Sequence, residues 1–125
     1  MKTTLNFLHH QSTDWLREIE FYKQELTILK NRLGEVSVKN TSTEVAAQVE
    51  HFQNKFIMFD EQLDILRHDI NQRLSEVDAI VKTKPEHIGE KFNTEEDDVN
   101  ERVQYQKKSI ADTRLEFNKF LSKVM

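Results

Sequence analysis

VAAQVEHFQNKFIMFDEQLDILRHDINQRLSEVDAI, residues 45–80, is the stretch on which the fold turns. Its apolar residues fall on two rows spaced by seven. Val49, Phe56, Leu63, Ile70 and Val77 form an a row, and Val45, Phe52, Phe59, Leu66, Arg73 and Ile80 form a d row. Arg73 is the one polar member. A pattern that holds a period of about 3.5 residues over this length predicts a helix whose stripe zips against other helices. A strand would need alternation every second residue.

The same pattern precedes it. Leu5, Ser12, Ile19, Leu26 and Leu33 make one row, and Leu8, Trp15, Tyr22, Leu29 and Val36 the other, with Ser12 alone polar. A first helix is therefore expected over about 4–35. Gly34 is read as its left-handed end, with Lys30 and Arg32 complementing the negative end of the dipole. A polar connection, Ser37 to Asn40, leads to Thr41, and Glu44 three residues on completes a capping box. The second helix is expected over 41–83, where Pro85 stops it.

The third helix has two possible starts, near residue 86 with Pro85 in its first turn, or at Thr94. In the second case Gly89 lies in the connection, and Glu95, Glu96, Asp97 and Asp98 form an acidic first turn. Either way it runs to about 124. Its rows are Phe92, Val99, Gln106, Thr113, Phe120 and Glu96, Val103, Ile110, Phe117, Val124, the most polar seam of the three. Short connections make neighbours run antiparallel. The fold class expected is all-α: one domain over 1–125, an antiparallel up-down-up bundle of three long helices with coiled-coil-like seams. In architecture, including a Trp midway along the first helix, the chain resembles the spectrin-type three-helix repeats; the resemblance carries no function with it.

Composition supports long helices. Two Gly and one Pro in 125 residues are too few for a many-turned β fold. Charged residues make up 32 % of the chain, with a net charge of −4 and both signs interleaved. No basic stripe is present to neutralise phosphates, so no nucleic-acid role is expected. Without Cys, thiolate chemistry and disulfides are excluded. Residues 1–10 lack the apolar run of a signal peptide, and no segment approaches membrane-spanning length, so the expectation is a cytoplasmic protein with no membrane association.

Layers follow from the turns. If Val36 is level with Val45, and Ile80 with the stretch 88–92, Arg73 falls in the layer of Glu96 and near His9. Gln106 falls near Leu66 and Trp15, and Thr113 near Phe59 and Tyr22. Arg73 with Glu96, and Trp15 with Gln106, are expected to be buried polar pairs that set helix register: a charge pair at the wet end, and an indole N–H donating to an amide oxygen. The competing reading is an anion or proton-relay site at Arg73, Glu96 and His9, which an enzyme would need as a cleft.

A di-metal bundle site needs Glu three residues before an inward His, and no His here has one. His-Glu-x-x-His is absent, as are a phosphate-cradling Gly loop and a nucleophile elbow. Asp64 and His68, with Asp60 and Glu61 nearby, fall at outward positions, and His9 and His10 read as helix-surface histidines. No catalytic, cofactor or metal residue is assigned, and no cofactor is expected.

Apolar residues outside the rows remain. Those at e positions (Leu16, Leu74, Val81, Leu121) can widen a seam. Ile57 at b, and Phe7, Phe21, Ile28, Met58, Ile65 and Tyr105 at c, point away from the core. By height, Phe21 is expected near Met58, and Ile65 near Leu16 and Tyr105, so Phe21, Ile28, Met58 and Ile65 form the expected protein interface. The function expected is a non-catalytic helical-bundle protein acting through protein–protein association, as a homodimer or an adaptor. The alternative is a metal- or small-molecule-binding bundle using His9, His10, Asp64 and His68, or a cavity near Gln106 and Thr113.

Overall fold

The computed structural model of the protein describes residues 2–83 and 88–125, with side chains described at 7–80, 82–83 and 96–125. Three helices account for it: α1 Lys2–Lys39, α2 Thr43–Thr83 and α3 Ile88–Val124. They pack as a three-helix bundle, every helix against both others. Among the described residues no helix is long and apolar enough to cross a membrane.

The heptad rows become the core. Among the described side chains every buried residue lies on one of the six rows, and the remaining row members are half-buried. Leu26, Phe56, Ile70 and Phe117 are fully enclosed. Removing side chains of this size from water stabilises by roughly 1.5–3 kcal/mol each, far more than helix propensity contributes, so the rows dictate which face of each helix turns inward. At one end the filling is aromatic. Phe52 packs edge-on against Phe117 with centroids 5.1 Å apart, Phe56 does so at 5.3 Å, and Phe120 closes the group 5.3 Å from Phe52.

The helix ends depart from the sequence reading. α1 does not stop at Gly34: no glycine among the described residues has a positive φ, and the helix continues to Lys39, with the Asn40 N–H donating to the Val36 carbonyl at 3.0 Å. Continuing lets Leu33 and Val36 both reach the core, which outweighs the roughly 1 kcal/mol that a mid-helix glycine costs. The cap of α2 is Ser42, not Thr41. The Ser42 hydroxyl accepts the Val45 N–H at 3.3 Å, and its own N–H donates to Asn40 Oδ1 at 3.3 Å. α3 is already helical at Ile88, so Gly89 and Thr94 lie inside it rather than before it. Pro85 lies outside the described residues, as do the side chains of Leu5, Val81, Phe92, Thr94 and Glu95.

Cross-helix pairs fix the register. As the α1 number rises through His9, Glu20 and Lys23, the α2 partner falls through Asp78, Arg67 and Asp64. His51, Gln62, Asp69 and Arg73 of α2 meet Glu116, Gln106, Arg102 and Glu96 of α3 in the same falling order. Glu18 and Glu25 of α1 meet Lys107 and Arg114 of α3 in rising order. This is the ordering an up-down-up path requires. The α2–α3 register agrees with the expected layers, but the α1–α2 register does not. With Val36 level with Val45, His9 would face Gln72; it faces Asp78, six residues further along α2. The start of α2 overshoots α1, and Glu44, Val45 and Gln48 border Lys119, Phe120 and Val124 of α3 instead.

Gly34 tests the account of α1. An added Cβ would meet nothing within 4 Å, so Gly34→Ala is expected to raise stability by about 0.5–1 kcal/mol. Thermal unfolding should show a melting temperature higher by a few degrees; a drop would mean that the backbone at this position is not the ordinary helix described.

Candidate association surface

The partners of the polar seam members decide whether they are sites or struts. Arg73 is 6 % exposed, and its Nη2 donates to Glu96 Oε2 at 2.5 Å. The layer expected for this pair is therefore formed. His9 is not part of it: its Nε2 lies 3.2 Å from Asp78 Oδ1, displaced by the register shift of α1 against α2. The shallow opening beside Arg73 is lined by Asp69, Gln72, Glu76, Asp98, Val99 and Arg102. Its described lining holds carboxylates, guanidinium groups and the Gln72 amide.

Trp15 and Gln106 are both buried, yet the expected contact between them is not the one made. Gln106 Nε2 donates to Gln62 Oε1 at 2.7 Å, and among the described residues Gln106 Oε1 has no hydrogen-bond partner. The register is again the reason. The α1 residues beside Gln106 are Glu18, Ile19 and Tyr22, around a void of about 10 Å³ that also touches Leu66. A space of that size holds at most one water, but Gln106 also borders an open groove of about 480 Å³ on the α2–α3 side. Thr113 is buried and lines neither.

Asp64 and His68 do not come together with other ligands. Asp64 accepts hydrogen bonds from Lys23 Nζ at 2.5 Å and Arg67 Nη2 at 2.9 Å. Among the described residues no group of three or more His, Cys, Asp and Glu side chains could hold a metal ion.

What the heptad reading did not single out is a chain of alternating charges along the α1–α2 seam. Glu20, Arg67, Asp64, Lys23, Asp60 and Lys30 follow one another, with Lys23 to Asp60 at 2.8 Å and Lys30 to Asp60 at 3.0 Å. Burial works against the charged form of Lys23, but hydrogen bonds to Asp60 and Asp64 and the attraction of both carboxylates outweigh it, so its pKa stands above the usual lysine value. Burial likewise opposes ionised Asp60, and its bonds from Lys23 and Lys30 more than offset this, holding its pKa below the usual aspartate value. The signal was the complementary charge of the rows flanking each seam.

The expected interface residues are all exposed: Phe21 at 57 %, Ile28 at 56 %, Met58 at 42 % and Ile65 at 57 %. They do not form one patch. Phe21 and Ile28 share a stripe of α1 with Glu18 and Glu25, which reach Lys107 and Arg114 of α3. Met58 and Ile65 share a stripe of α2 with Gln62 and Asp69, which reach Gln106 and Arg102 on the other flank of α3. Two apolar rows therefore lie on opposite sides of α3. On the α2 side, Ile65 and Tyr105 line that open groove with Gln62, Leu66, Glu101, Arg102 and Gln106, which brings together the two residues expected at that height.

No family model, curated protein or solved structure matches this chain. The likeness to spectrin-type repeats therefore stands on architecture alone.

Two measurements probe the polar framework. The depressed pKa of Asp60 means that its contribution is present above the unfolded aspartate pKa and is lost as pH falls through the folded value. Asp60→Asn should destabilise by on the order of 1 kcal/mol at neutral pH, and the gap in melting temperature from the native chain should close as pH falls below the usual aspartate range. A constant gap across that range would place the effect in packing instead. Gln106→Leu removes a buried oxygen that lacks a partner and is expected to stabilise by about 1 kcal/mol. Denaturant unfolding reads this directly, and destabilisation would show that the Gln62 contact outweighs the stranded oxygen.

Proposed function

We propose that this is a non-catalytic helical-bundle protein that acts by associating with other protein surfaces, either a copy of itself or a partner that it links to something else. The observation that carries this reading is the pair of exposed apolar rows beside α3. A single exposed Leu or Ile is ordinary on any protein. Here Phe21 and Ile28 repeat at heptad spacing on one helix, Met58 and Ile65 do so on another, and Tyr105 faces Ile65 across a groove. Large apolar and aromatic side chains held on rigid helices suit an association surface, because little conformational entropy is lost when a partner covers them.

The charge pattern supports the same reading. Ion pairs between helices neutralise most charges next to the seams, so the flanking rows stay available for contacts that need no desolvated ion.

Replacing Phe21, Ile28, Met58 and Ile65 together by Ser tests the proposal. Each position is exposed, so helicity and melting temperature should change little. The native chain should sediment above its 14.9 kDa chain mass, or retain a discrete partner from an extract of its native cell, and the variant should lose that behaviour. A native chain that stays monomeric at high concentration, and binds nothing that the variant does not, sinks the reading.

A further inference from the structure

The outward face of α1 carries a pattern that is complementary to itself. Two adjacent rows of α1 point away from the core: Asp14, Phe21, Ile28 and Glu35 in one, Arg17, Gln24, Asn31 and Val38 in the other, all eight exposed. The central four, Phe21, Gln24, Ile28 and Asn31, are uncharged in a chain of which 32 % is charged. Arg17 bounds this strip on one side and Glu35 on the other, with opposite signs. Arg17 stands one heptad before Gln24, and Glu35 one heptad after Ile28, so the strip is symmetric about the height of Leu26.

We propose that α1 pairs with α1 of a second copy of this chain, the two running antiparallel about a twofold axis level with Leu26; this rests on the association reading above and names its occupant on one of the two rows. Turning the helix end for end about that point sets Gln24 against Ile28, Phe21 against Asn31, Arg17 against Glu35 and, outermost, Asp14 against Val38, each layer occurring twice, as an isologous contact demands. In every layer one row meets the other, the knobs-into-holes order of antiparallel helices. Charge selects the direction. In a parallel pair Arg17 would meet Arg17 and Glu35 would meet Glu35; in the antiparallel pair both ends close as opposite charges.

Among the described residues nothing competes strongly for these groups. Arg17 is 78 % exposed, and its ion-pair contact is a loose one to Asp14 at 3.9 Å. The strip from Asp14 to Val38 is about 37 Å long at the rise of an α-helix, a little over three heptads of contact. The Glu25–Arg114 pair sets α3 alongside this strip. There Ala111 and Leu115, both exposed and uncharged, can widen the surface that a second copy covers.

Sedimentation equilibrium on the full chain, Arg17→Glu, Glu35→Arg and the double variant R17E/E35R is the test. The native chain should be a dimer. Each single variant sets two pairs of like charges against each other and should weaken the dimer by about tenfold or more. The double variant restores opposite charges at both ends and should recover most of the loss. All four chains should melt at similar temperatures, because both positions are exposed. A native dimer indifferent to the single variants, or a double variant no better than the singles, overturns the antiparallel α1 pair while leaving association by another surface standing. A native chain that is monomeric yet binds a partner through Phe21 and Ile28 overturns the self-pairing alone. A monomer with no partner removes both proposals.

Discussion

A helix of some forty residues in water gains little from its own hydrogen bonds, and three of them side by side gain nothing unless their apolar faces are covered together. That constraint organises the molecule. Side chains repeating every three and four residues turn Leu26, Phe56 and Phe117 inward at the same time as they turn Glu20, Asp64 and Arg102 to the seam edges. The core decides the faces, and the seam edges decide the register. Apolar layers alone would tolerate a slip of one heptad, since one row of Leu, Ile and Phe packs much like the next. Arg73 against Glu96, and the alternating charges around Lys23, would be stranded by such a slip. Breaking a buried pair costs several kcal/mol even where forming it contributes little, so these groups act mainly by penalising the wrong alignments.

The fold was legible because it depends on periodicity, and periodicity survives errors in detail. All six rows can be written down from the residues alone, and their described members are buried or half-buried. The boundaries were less legible, because a local signal competes there with a distant one. Gly34 carries a stop signal, yet Val36, two residues on, has a place in the core, and burial of Val36 prevails. Thr41 with Glu44 satisfies the capping pattern, yet Ser42 sits directly before the first helical residue and takes the role. In both cases the residue that won was the one whose geometry the tertiary structure supplied.

Register between α1 and α2 failed for a related reason. Levelling Val36 with Val45 assumes a tight, symmetric turn. The first turn of α2 instead finds its apolar partners on α3, where Phe120 and Val124 complete the aromatic end of the bundle. Once α2 overshoots, every layer inferred from that turn moves with it: His9 leaves Arg73 for Asp78, and Tyr22 takes the place beside Gln106 that had been given to Trp15. The α2–α3 layers, anchored independently, stayed where the rows placed them.

The expected interface exposes a deeper limit of heptad reasoning. Rows give the height of a residue and its angle on its own helix, but not which side its neighbour stands on. Phe21 and Ile65 occupy the same heptad position and, with Lys23 level with Asp64, stand at similar heights, so a bundle coiling its helices in the other order would bring them together. In this order the c flank of α1 and the c flank of α2 face opposite sides of α3, and the pair is split. The charges on the flanking rows carried the missing information. Lys23 and Lys30 mark one flank of α1 and find Asp60 and Asp64 on α2; Glu18 and Glu25 mark the other flank and find Lys107 and Arg114 on α3. Swapping the two neighbours would set Lys23 toward Lys107 and Glu18 toward Asp60, like charge against like. The handedness of this bundle is therefore encoded in the polar residues that border the core, and the apolar rows that build the core are silent about it.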